Sequence, residues 1–217
     1  MVTLKEFLAF PAFVPNFVKD TLFKFIIVEK RSKIVVCFCL LIAVALIMRL
    51  IPMPAGIYGV TPMYAMAIFG GVVFKKDKKY AFLLPLLSFF ICDVVVEVLF
   101  KLGAWSTPGF YEGQLINYIL FALLTVIGFG VKKPGIVSVG IASLVAPTIF
   151  YILSNLSVWA FAGFYPMTAD GLKGCYIAGF PFYFPYSLLS TLVFSAILFG
   201  VYSLYKAKSK ALHLSHS

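Results

Sequence analysis

Between Tyr80 and Lys101 the chain reads YAFLLPLLSFFICDVVVEVLFK, an apolar run with two carboxylates near one end. A stretch of about 20 apolar residues, rising ~1.5 Å per residue as a helix, spans the roughly 30 Å hydrocarbon core of a bilayer. Asp93 and Glu97 stand four residues apart and so share one face of that helix. An ionised side chain in lipid costs at least about 2.5–3.5 kcal/mol at the bilayer centre, so this face must turn toward protein, water or a ligand. Two acids inside a span therefore mark a functional site or a helix-to-helix tie.

The remainder of the chain repeats the pattern. It is 62% hydrophobic and 12% charged, with a mean hydropathy of +1.03, which excludes a soluble globular domain and leaves a polytopic membrane protein. Apolar segments at 34–51, 60–74, 80–101, 114–131, 136–160 and 184–205 predict an all-α bundle of six transmembrane helices. The segment 60–74 is short for a lipid-facing span, and its Gly70-Gly71 pair suits close helix packing. Residues 16–30 alternate Phe17, Val18, Leu22 and Phe25 with Lys19, Asp20, Lys24 and Glu29, the pattern of an amphipathic helix lying in the membrane interface. The domains expected are thus an interfacial segment at 1–33, the six-helix domain at 34–206 and a polar tail at 207–217. Residues 169–177, inside the longest connection, read as a short surface helix.

The net charge of +10 is a topological signal and not a nucleic-acid footprint, because the 18 Lys and Arg fall in short clusters between apolar runs. With both termini cytoplasmic, only Arg49, Lys101 and Lys173 lie outside, and every inner connection carries the excess. That orientation predicts a multi-pass protein of a bacterial inner membrane whose basic clusters meet anionic lipid.

Given six alternating spans, depth follows from helical rise. Asp93 lies roughly 20 Å and Glu97 roughly 26 Å above the cytoplasmic start of their helix. Arg49, Asn117, Ser154 and Asn155 reach the same outer level. The outer third of the bundle then gathers Arg49, Asp93, Glu97, Asn117 and Asn155 beneath Gly/Pro-rich loops that carry Trp105, Phe110, Trp159 and Tyr165. One reading is a ligand cavity open to the outside, lined by these polar residues and roofed by the aromatic ones. The other is that the polar groups pair among themselves, Arg49 with Glu97 or Asp93, and hold helices together.

The four cysteines at 37, 39, 92 and 175 show no CxxC or Cys/His spacing, so neither a disulfide framework nor a metal site is expected. HExxH and GxSxG motifs are missing and no span contains His, which leaves no candidate nucleophile or zinc ligand for an intramembrane enzyme. No cofactor is expected.

The runs GVTPMYAMAIFGGVVF (59–74), AFLLPLLSFFICDVV (81–95) and FYILSNLSVWAFAGFYPMTADGLKGCYIAGFPFY (150–183) resemble a family of small, uncharacterised bacterial inner-membrane proteins. More distantly, the arrangement is similar to the substrate-binding S components of energy-coupling factor transporters. That resemblance implies six spans, a ligand site beneath the outer loops, a vitamin-like small molecule and docking to energising transporter subunits. It leads to the expectation of a small-molecule binding and uptake protein, with a structural or assembly protein of the membrane as the alternative.

Overall fold

The computed structural model describes residues 16–51, 57 and 60–215. The expected break at Pro52 to Gly59 falls largely outside the described residues, as do the side chains of the interfacial segment 16–31 and of His213. Helices make up the described chain, and no strand occurs among the described residues. In order they are α1 (Asn16–Leu50), α2 (Met63–Val73), α3 (Lys78–Lys101), α4 (Gln114–Gly130), α5 (Ile136–Phe161), α6 (Ala169–Phe182) and α7 (Leu188–Ser215), with a π-helical turn at Tyr183–Ser187 joining the last two. The chain divides into two compact units, one ending at Cys37 and the other beginning at Phe38. The first unit's described part is the helix 16–37, and the packing and sites described below belong to the second.

Three differences from the sequence expectation have plain physical causes. The separate interfacial helix and first span are one helix, α1, because no Gly or Pro lies anywhere between Asn16 and Leu50 to end it. The short surface helix expected at 169–177 extends to Phe182 and passes through the π turn into α7. The turn bends where Pro185 drives Phe184 out of helical geometry, to φ −114° and ψ 131°. The Ser187 hydroxyl donates to Phe182 O at 2.6 Å, satisfying a carbonyl at the bend. Finally, α7 continues to Ser215 where a polar tail was expected from 207.

α2 is the packing centre of the bundle. Its 11 residues, about 16 Å of helix, are too few to cross the hydrocarbon core alone, and Met63 through Gly71 are all buried. α2 packs on α3, α4, α5 and α7. The approach to α4 is close enough that a Cβ on Gly71 would meet Thr125 O and lie 2.9 Å from Gly128 Cα. Gly70 is crowded in the same way by Ala81 O and Pro85 of α3. Glycines at these positions let backbones touch where no hydrophobic effect separates helix from lipid, so packing supplies the attraction. Ser143 of α5 and Ser195 of α7, both buried, add a hydroxyl pair at 2.8 Å across their interface.

Large apolar side chains cover the outside: Leu115, Ile119, Ile136, Ile141, Phe161, Val193 and Leu204 are all exposed. Three helical stretches, Lys78–Lys101, Ile136–Phe161 and Ala169–Ala207, are long and apolar enough to cross a membrane, while Ile34–Leu50, Met63–Val73 and Gln114–Gly130 are shorter apolar helices. An outward apolar surface of this extent is the mark of a protein solvated by lipid.

Candidate functional site

The polar residues singled out from sequence divide into two groups on either side of the first turn of α4. The first surrounds Asp93, which is 1% exposed. Its Oδ2 accepts from Gln114 Nε2 and from Tyr118 Oη, each at 2.5 Å. Its Oδ1 faces Arg49 Nη2 at 3.4 Å, an ion pair without a well-aligned hydrogen bond. Arg49 therefore reaches Asp93, and Glu97 takes different partners: Lys101 at 3.2 Å on Oε1, and the backbone N–H groups of Gly109 and Phe110 at 3.0 and 3.4 Å on Oε2. Gly109 makes this possible. The 103–113 loop lies so close to α3 that a Cβ there would strike Asp93 O and the backbone nitrogen of Glu97.

Both carboxylates are thus occupied by the chain itself. Asp93 ties α1, α3 and α4 together, and Glu97 ties the following loop to the end of α3. Neither lines the cavity described next, nor does Arg49. The expectation of one cavity containing all the polar residues is corrected on this point: helical rise places a residue at a level, whereas the side of the helix on which it falls decides its neighbours.

The second group does line a cavity. An open cleft of about 550 Å³ is lined by Tyr64 of α2, Asn117 of α4, Pro147 to Val158 along one face of α5, Tyr165, and Cys175 to Ser187 along α6 and the π turn. Of the residues expected from sequence, Asn117, Asn155 and Tyr165 are here. Trp159 is not; its Nε1 donates to Pro166 O at 3.0 Å and pins the loop beside the cavity. Trp105 lines neither this cavity nor the groove on the far side of α6.

The walls are aromatic. Tyr64 and Phe150 pack with centroids 5.0 Å apart, and Tyr151 and Tyr183 stack at 4.7 Å with 16° between their planes. Most polar atoms in the wall are already committed. Tyr151 Oη donates to Tyr176 O, Tyr183 Oη pairs with Thr148 Oγ1, and Asn155 Nδ2 donates to Tyr151 O. Asn117 Nδ2 donates to Tyr111 Oη at 2.8 Å. Among the described residues, what remains for a ligand is the amide oxygen and second N–H of Asn117 and the hydroxyl of Tyr165; the oxygen of Asn155 accepts from the Cys175 thiol at 3.8 Å and packs on Gly179, where a Cβ would strike it.

Sequence reading missed Gln114 and Tyr118 around Asp93, and Tyr64, Phe150, Tyr151, Tyr183 and Ser187 around the cavity. The first pair carried a usable signal, since 114 and 118 are four apart and share a face at the depth of Asp93. The aromatic walls carried none, because Phe and Tyr are abundant everywhere in the chain: 24 and 12 residues respectively.

A family model described as a family of unknown function, DUF6580, matches residues 29–212. The chain belongs to DUF6580. For DUF6580 the match takes in every element from α2 to α6, hence both the Asp93 cluster and the cavity. No curated protein and no solved structure matches this DUF6580 chain.

Proposed function

We propose that this protein binds a small molecule in the cavity between α4, α5 and α6 and serves its uptake across a membrane. The observation that carries the reading is a cavity of about 550 Å³, ligand-sized, with aromatic walls and a few uncommitted polar atoms, inside a bundle whose outer surface is apolar. On this reading the three long apolar helices are spans and the three shorter ones complete the bundle with them. The distribution of Lys and Arg favours cytoplasmic termini and an inner-membrane location, with the cavity toward the outer face. That arrangement is similar to the S components of energy-coupling factor transporters, and docking to energising subunits is the form of uptake the similarity suggests. Arg49, Asp93 and Glu97 belong, on this reading, to the scaffold of the site.

The test is native mass spectrometry of protein extracted in mild detergent from its own membrane, beside the variant Ser154→Trp. Ser154 lines the cavity, and an indole there projects into it and narrows it. The expected result is a non-lipid small-molecule adduct on the wild type that the variant lacks. An adduct retained by Ser154→Trp, or none on the wild type, overturns the cavity as a binding site. A stable set of co-purified proteins with no adduct would instead support the structural or assembly role, which the committed carboxylates also fit.

A further inference from the structure

Among the described residues, the cavity's wall contains no Asp, Glu, Lys, Arg or His. Lys173 of α6 lines a different space, the groove of about 560 Å³ formed with Tyr151, Tyr176 and Phe180 on the opposite side of that helix. An anion in the cavity would therefore give up its hydration with no cation to replace it, and a cation would find rings but no carboxylate. The uncommitted polar atoms are few. Asn155 is spent on Tyr151 O, on the Cys175 thiol and against the Gly179 backbone, whereas Asn117, with one N–H on Tyr111 Oη, keeps its amide oxygen and its second N–H. A neutral polar group on the ligand is the natural complement of that amide. The ring pairs Tyr64–Phe150 and Tyr151–Tyr183 offer faces and edges to a flat apolar body.

Resting on the cavity reading above, we infer that the ligand is an uncharged, planar ring compound whose neutral polar group hydrogen-bonds the amide of Asn117. Charge is the discriminating property, and Asn117 is the residue to change. As Asp it still pairs with Tyr111, whose hydroxyl then donates in the opposite direction, so the local structure is kept while one negative charge enters the wall.

Three probes with a common indole ring separate the possibilities: indole-3-acetamide is neutral, indole-3-acetate an anion and tryptamine a cation. Equilibrium dialysis of the radiolabelled probes against the full-length protein in lipid nanodiscs, with empty nanodiscs subtracted, gives the three affinities. The wild type is expected to bind the acetamide at least about tenfold more tightly than either ion. Asn117→Asp should reverse the order in favour of tryptamine by about tenfold, and Ser154→Trp should abolish saturable binding of all three. A charged probe that binds the wild type as tightly as the acetamide, or an unchanged order in Asn117→Asp, overturns the inference. So does the absence of saturable binding by any probe. Each of these outcomes leaves the mass-spectrometric adduct standing, so the ligand class and the existence of the site fail separately.

Discussion

Replacing Asp93 by Asn asks whether the buried carboxylate is scaffold or ligand contact. The substitution preserves size and one acceptor oxygen and removes the charge. Both short hydrogen bonds fall on Oδ2, from Gln114 Nε2 and Tyr118 Oη, so an asparagine oxygen in that place keeps both as neutral bonds. A bond to a charged group contributes about 1.5–3 kcal/mol and a neutral one about 0.5–1.5 kcal/mol, so the two conversions together cost about 2–3 kcal/mol. The new NH₂ then faces the Arg49 guanidinium, donor against donor. The Arg49 side chain is 35% exposed and can turn away, which holds the additional loss below the roughly 3–5 kcal/mol typical of breaking a fully buried pair.

At about 2–4 °C per kcal/mol for a chain of this size, Asp93→Asn should lower Tm by roughly 4–12 °C. Thermal unfolding of the detergent-solubilised protein, followed by intrinsic fluorescence, reads this directly. Arg49→Gln in the same assay, and the double variant, complete a cycle. The double variant should lose less than the sum of the singles, because each single already removes the ion pair. An unchanged Tm in Asp93→Asn, accompanied by loss of the retained small molecule, would refute this reasoning and return the carboxylate to the binding site.

Gly71→Ala should destabilise by about 1–3 kcal/mol, since the added methyl meets Thr125 O and Gly128 and pushes α2 from α4, whereas Gly140→Ala has open space around it; equal Tm values for the two variants would contradict the packing described. For orientation, a cysteine placed at Lys76 in a cysteine-free background should stay unlabelled by an impermeant maleimide in intact cells and one at Lys173 should label; the reverse pattern would invert the proposed topology.

How much of this was legible in the sequence depends on which coordinate is asked for. Apolar length and punctuation placed α3, α4 and α5 within a residue or two, because Lys78, Gly113 and Gly135 stand at or just before their starts. The α6–α7 bend was only half visible: a surface helix at 169–177 and a separate span from 184 were expected, yet the helix runs through Pro181 and yields at Pro185. At the site, rise along the helix put Arg49, Asp93, Asn117 and Asn155 at one level, and the Arg49–Asp93 ion pair fits that. Azimuth was the missing coordinate. Asn117 stands next to Tyr118, about 100° round the helix from it, which is enough for Tyr118 to meet Asp93 while Asn117 lines the cavity.

The same turn of α4 also joins the two places energetically. Tyr111 accepts from Asn117 Nδ2 through its hydroxyl, and its backbone N–H donates to Gln114 Oε1 at 3.1 Å. Gln114 passes its own N–H to Asp93, which faces Arg49. A ligand that engages the Asn117 oxygen therefore acts on an amide whose other end holds Tyr111, one bond from the residue that secures Asp93. Gly113, at φ +80°, ends the loop between them and allows Tyr111 to fold back over the helix start. A charge cluster that merely fastened helices would work equally well far from the cavity. On the proposed binding reading, its attachment to the cavity's own polar residue sets the 103–113 loop between the two places, with Tyr111 holding Asn117 on one side and Gln114, which secures Asp93, on the other.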